Sequence, residues 1–215
     1  MRTARPVGPE TAAAITANIR DPRQVAQLTE RLGHARQALD RERFDEARRI
    51  ASSLVRPLPN VAAVHEVIGL AAYRSGRWQQ ATSELELAHA LSPSIELLPA
   101  LADAYRAQQR WADVERVWED VRAASPAHEV LAEARIVAAG AQADRGDLAA
   151  ALHTMDKATQ IPKRVRDHHL RQWYVLGDLH DRAGDALPAI RWFELVAQHD
   201  RDFVDVTDRL RALGR

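Results

Sequence analysis

Cysteine is absent from all 215 residues, so neither disulfides nor thiolate metal ligands are available. Net charge is lacking as well. Thirty basic side chains face thirty acidic ones, and no global positive field recommends the chain to a phosphate backbone. Lysine is nearly missing: apart from Lys157 and Lys163, every basic residue is arginine. No apolar run approaches the roughly eighteen residues of a membrane span, and the first twenty residues lack a signal-peptide core. No stretch alternates apolar and polar residues as a half-buried strand does. These absences set the expectation of a cytoplasmic, all-helical protein with no nucleic-acid and no membrane partner.

What is present is helical in period. Ala, Leu, Arg, Glu and Gln dominate, all good helix formers. Asp21-Pro22 reads as an N-cap followed by proline at the first helical position. Val25, Leu28, Leu32, Ala35 and Leu39 then form one apolar stripe, and Phe44, Ala47, Ile50, Ala51 and Leu54 a second. Pro57 and Pro59 stop the second helix. The charge is unevenly spread, because residues 1–60 hold 11 basic and 7 acidic side chains. Solvated helix faces account for that mild excess.

The hairpin then recurs. Phe44, Ala47 and Pro59 return 34 residues on as Trp78, Ala81 and Pro93. Trp78, Leu85 and Pro93 return 33 residues on as Trp111, Trp118 and Pro126. Gly146, Ala151 and Met155, then Gly184, Ala189 and Phe193, continue the series after short insertions. The tetratricopeptide repeat pattern is W-x2-L-G-x2-Y on a first helix, A-x3-F on a second, then P. Trp173-x2-Leu176-Gly177 with Ala189-x3-Phe193 resembles it closely, and so does His65-x2-Ile68-Gly69 with Ala81-x3-Leu85 and Pro93. Leu98-x2-Leu101-Ala102-x2-Tyr105, followed by Val114-x3-Trp118 and Pro126, is a further copy; the first and fourth are weaker.

The resemblance implies an all-α, right-handed superhelical solenoid of about five hairpins over residues 22–202, with a capping helix in 203–215. Residues 1–21 form an N-terminal arm in this reading, disordered over 1–8, with room for a short helix from Pro9 to Ile19. Gly69 and Gly177 are read as points of close helix approach, with Trp78, Trp111, Trp118 and Phe193 filling the space between hairpins.

Catalytic signatures do not assemble. His65-Glu66 and His128-Glu129 begin like the H-E-x-x-H zinc motif, but Gly69 and Ala132 occupy the place of the second histidine. Asp167-His168-His169 would need a preceding strand to act as a phosphoesterase motif, and adjacent histidines on a helix point about 100° apart. No phosphate-binding loop or nucleophile elbow is present. The expectation is a non-enzyme without cofactor or metal.

In the tetratricopeptide family the first helix of each hairpin lines a concave groove that holds a peptide or a helix of another protein. The resemblance therefore implies a protein or peptide partner. It carries Leu32, Arg36, Leu39, Leu70, Tyr73 and Arg74 onto that face. Asp103 and Arg106, then Tyr174, Asp178, Asp181 and Arg182, complete the expected site. Lys and Asn, which the family uses to clamp acidic tails, are missing from these positions, and the four-carboxylate series Asp103, Asp144, Asp178 and Asp181 would repel such a tail. An interaction scaffold is the first reading; the second is a peptide-sensing module whose oligomeric state changes on binding. A homodimer stays open under both.

Overall fold

The structure, a computed structural model, describes residues 6–214. Among them the secondary structure is helical throughout, with no strand. Helices α1 (Pro9–Asn18), α2 (Pro22–Asp40), α3 (Phe44–Ser52), α4 (Ala62–Arg74), α5 (Trp78–Leu91) and α6 (Leu98–Ala107) belong to a first compact unit ending at Arg110. Helices α7 (Trp111–Ala124), α8 (His128–Asp144), α9 (Leu148–Met155), α10 (Asp167–Arg182), α11 (Ala186–His199) and α12 (Val206–Ala212) belong to a second, beginning at Trp111. The disorder expected over residues 1–8 falls outside the described residues for 1–5; Val7 packs against the core of the first unit.

The turns repeat as faithfully as the helices. Arg43, Arg77, Arg110, Asp147 and Asp185 each donate a backbone N–H to the carbonyl five residues back, at 2.9 to 3.0 Å. The residue before each donor, namely Glu42, Gly76, Gln109, Gly146 or Gly184, takes a positive φ. This is the left-handed ending that satisfies the last carbonyls of a helix. Glycine adopts it freely, whereas Glu42 and Gln109 meet the cost of a Cβ in that region. Asp21 caps α2 as the sequence suggests, accepting from the Arg23 N–H at 2.9 Å.

Within the first unit, α4 and α5 pack around Gly69. A Cβ there would lie 2.7 Å from Cγ of Leu85, so the close approach read from the sequence is real. Leu28, Leu32, Leu54, Leu58 and Ile68 fill this unit's core, joined by Ile15 of α1, which is fully buried. The short N-terminal helix thus completes the core rather than hanging from it.

In the second unit the same packing recurs between α10 and α11, where a Cβ on Gly177 would lie 2.7 Å from Cε1 of Phe193. Trp173, Phe193, Met155 and Val206 are fully buried there, and the Trp173 indole donates to the Ala158 carbonyl at 3.2 Å. Trp78, Trp111 and Trp118 are only partly buried, and Trp78 packs against Ala72, Ala81 and Ala104 of α4, α5 and α6, between two hairpins. Trp173 and Phe193 are fully buried.

Candidate interaction surface

The face expected to hold a partner is built from first helices, and its polar groups are organised as steps from one first helix to the next. In the first unit, Arg36 of α2 meets Glu66 of α4 at 3.6 Å. One step on, the Tyr73 hydroxyl of α4 donates to Asp103 Oδ2 of α6 at 2.9 Å. Arg106 approaches the other oxygen of Asp103 at 3.4 Å. The Tyr73 ring stands edge-on to Trp78, with centroids 5.9 Å apart, and Leu70 lies half-buried one turn earlier on α4. Arg74 is exposed, 3.2 Å from Glu42 and stacked over the Phe44 ring at 5.3 Å. Tyr73, Asp103 and Arg106 therefore form one connected group, with Arg36 one step earlier and Arg74 at its edge. Leu32 is not part of this face, because it is fully buried in the core.

In the second unit, Tyr174, Asp178 and Asp181 of α10 are brought together by α12. The Tyr174 hydroxyl donates to Asp205, and Arg209 donates to Asp178 at 2.8 Å and to Asp181 at 2.9 Å. Arg209 also stacks over the Phe193 ring at 5.2 Å. Burial, followed by the hydrogen bond to Asp205, pushes the Tyr174 phenol up to about 12. Burial alone would lower the Arg209 pKa, but the Asp178 carboxylate outweighs it and raises the value. Arg182 takes a different partner, donating to the Ala143 carbonyl at 2.9 Å with Asp144 and Asp178 each at 3.9 Å. Tyr174, Asp178 and Asp181 are thus engaged by α12 and the residue before it, which the sequence identified only as a cap.

The pairs Arg36–Glu66, Tyr73–Asp103, Tyr174–Asp205 and Asp178–Arg209 are spaced 30 or 31 residues apart. That is one repeat less about one helical turn, the offset at which neighbouring first helices face each other. Comparing copies for likeness misses such pairs; comparing them for complementarity at this offset finds them.

The histidine near-misses resolve into structural roles. Buried His65 stands 2.7 Å from Glu84 Oε2 through Nδ1 and 2.9 Å from the Pro59 carbonyl through Nε2, so both ring nitrogens are engaged. Arg135 occupies the equivalent position on α8, buried and donating to Gln172 Oε1 at 2.6 Å; burial lowers its pKa. Among the described residues, no cluster of three His, Asp or Glu side chains is placed to hold a metal. No described helix is long and apolar enough to cross a membrane.

No family model and no curated protein sequence matches the chain. Solved structures do. A tetratricopeptide repeat protein from Parabacteroides merdae superposes with a TM-score of 0.66 at 12% identity, over 96% of this chain and 78% of the other. YrrB, described as a TPR protein with an unusual peptide-binding site, superposes with a TM-score of 0.53 at 14% identity, over 92% and 97%. The fold is that of tetratricopeptide-type helical repeats.

Proposed function

We propose that this chain is a protein-interaction scaffold that holds a peptide or helix of another protein against its first-helix faces, with residues 22–202 acting as one repeat domain. The supporting observation is the group formed by Tyr73, Asp103 and Arg106 between α4 and α6. It offers a phenol, a guanidinium and a carboxylate, half-exposed beside Leu70 and Trp78. Tyr and Arg are the residue types on which interface affinity concentrates, and their mutual bonds pre-organise them at little entropic cost. Arg36 and Arg74 flank this group; at the corresponding positions of α10, Tyr174, Asp178 and Asp181 are engaged by Asp205 and Arg209, and Arg182 stands exposed beside them. The proposal assigns no catalytic step and no cofactor to the chain.

The test is selection from a displayed peptide library, with the wild type beside a Tyr73→Phe, Arg106→Ala variant. The wild type should enrich a defined motif that the variant binds at least about tenfold more weakly. Equal enrichment by both would move the interaction surface off these helices.

One observation favours the second reading, a sensor. Arg209 and Asp205 of the terminal segment already satisfy Tyr174, Asp178 and Asp181. A ligand presenting an arginine to Asp178 and Asp181 would compete with α12 for them. Light scattering with and without the selected peptide separates the two: a change in oligomer size supports the sensor, and an unchanged mass the scaffold.

A further inference from the structure

The mild positive excess of the first sixty residues is not spread evenly. An open cleft between α2 and α3 is lined by Arg31, Arg41, Arg43 and Arg49, with His34 and the single carboxylate Glu46. Arg43 reaches Glu46 at 3.5 Å, and Arg31 donates to Ser53 Oγ at 2.6 Å, which holds its guanidinium along the cleft wall. The side chains of Arg41 and Arg49 have neither a hydrogen bond nor an ion pair among the described residues. Four guanidinium groups thus share one carboxylate in the cleft lining, in a chain whose formal charge sums to zero.

The repeat itself explains why the cleft exists. The opening first-helix position that holds buried His65, Leu98, Arg135 and Trp173 in later copies holds exposed Arg31 here. Arg31 lines the open cleft instead of entering the core.

We propose that this cleft is an anion site for a phosphomonoester dianion, carried on a serine or threonine of a partner protein or presented as a free small phosphate. The site is separate from the first-helix faces and does not depend on them. Guanidinium forks match the geometry of phosphate oxygens, and a dianion with three terminal oxygens can engage several forks where a carboxylate satisfies one. A nucleic-acid backbone fits less well, because the same hairpin also exposes Glu30, Asp40, Glu42 and Asp45, which disfavour a run of phosphates.

The test uses the full chain and three probes at matched ionic strength: inorganic phosphate, a phosphoserine peptide beside its unphosphorylated form, and a single-stranded oligonucleotide. Calorimetry gives affinities, and backbone amide shifts locate the contact. The expected result is phosphate-dependent binding with shifts confined to residues 31–53. R41A/R49A should weaken it about tenfold or more with an unchanged melting temperature, while R122A on α7 should not. If the double variant fails to fold, R49A alone gives the same reading with a smaller loss. Binding of inorganic phosphate assigns a free ligand, and binding of the phosphopeptide alone assigns a modified partner; both support the site. No discrimination between phosphorylated and unphosphorylated peptide together with no response to inorganic phosphate, equal binding by R41A/R49A, or preference for the oligonucleotide would overturn it.

Discussion

A methyl group added at Gly177 would meet the Phe193 ring at 2.7 Å, and at Gly69 the same methyl would meet Cγ of Leu85 at 2.7 Å and its backbone nitrogen at 3.1 Å. Two effects compete. Replacing a mid-helix glycine by alanine gains about 0.5–1 kcal/mol from backbone entropy, while overpacking a tight contact costs about 1–3 kcal/mol. Leu85 and Phe193 are both fully buried, so neither can turn away without disturbing its neighbours. Gly69→Ala and Gly177→Ala should therefore each destabilise by about 1 kcal/mol. Both leucine variants should lose several kcal/mol, and denaturant midpoints rank all four. His168 supplies a residue-scale effect of pH. Burial, then His169, holds its imidazole below the ordinary value against the pull of Glu129, with Arg166 and His128 also acting to lower it. The folded state thus favours the neutral ring. Stability from this source is complete above about pH 6.5, the unfolded value, and is lost as pH falls through the folded pKa. The melting temperature should fall less steeply between pH 7 and 5 for His168→Gln than for the wild type. Parallel profiles would remove His168 from the acid response.

At the scale of elements, a turn and a terminal helix make opposite tests. Gln109 sits with positive φ where three of the five equivalent turns use glycine. Gln109→Gly should relieve about 1 kcal/mol of left-handed strain, less the extra freedom of the unfolded chain, for a net gain of up to roughly 0.5 kcal/mol. Removing residues 203–215 should do the reverse. Tyr174 would lose Asp205, and Asp178 and Asp181 would lose Arg209, which leaves α10 and α11 with an uncovered apolar face. The phenol of Tyr174 offers a direct readout. Its raised pKa means that stability is present below about pH 10 and lost as pH rises through about 12. In ultraviolet titration the Tyr174 step, identified against a Tyr174→Phe variant, should come late in the intact chain and earlier after truncation. A Tyr174 step unmoved by truncation would show that burial by α12 is not its cause.

The same elements show what was legible in the residues. Asp21-Pro22 and the Gly69 and Gly177 contacts were readable because each is a local rule acting at a fixed position. The partial exposure of Trp78, Trp111 and Trp118 was not, since an aromatic residue at repeat spacing has the same pattern whether it fills a core or lies along a flank. The coverage of Tyr174, Asp178 and Asp181 was hidden for another reason. It depends on which way α12 faces, and Arg209 looks equally at home on a solvated helix. The α2–α3 cleft required comparing the copies, because exposed Arg31 is unremarkable until set against buried Trp173.

At the scale of the whole molecule, balanced charge and paired surface groups make folding and recognition hard to separate, and the choice of substitution decides whether an experiment can do it. Tyr73→Ala would remove both the hydroxyl bonded to Asp103 and the ring packed against Trp78, so a lost partner could mean only a loosened hairpin. Tyr73→Phe keeps the ring, and Arg106→Ala removes a half-exposed guanidinium that stands 3.4 Å from Asp103. Hydrogen bonds and ion pairs in such positions contribute about 1 kcal/mol or less each to folding. The same groups, once desolvated under a partner, can carry about 2 kcal/mol or more, roughly thirtyfold in affinity. The double variant should therefore shift the denaturation midpoint slightly and lower partner affinity by more than tenfold. Arg74→Ala, at the exposed edge, should leave both nearly unchanged. A double variant that unfolds would make the Tyr73–Asp103–Arg106 group a structural strut. One that folds and binds as the wild type would place recognition elsewhere, and the α2–α3 cleft would become the surface to probe first.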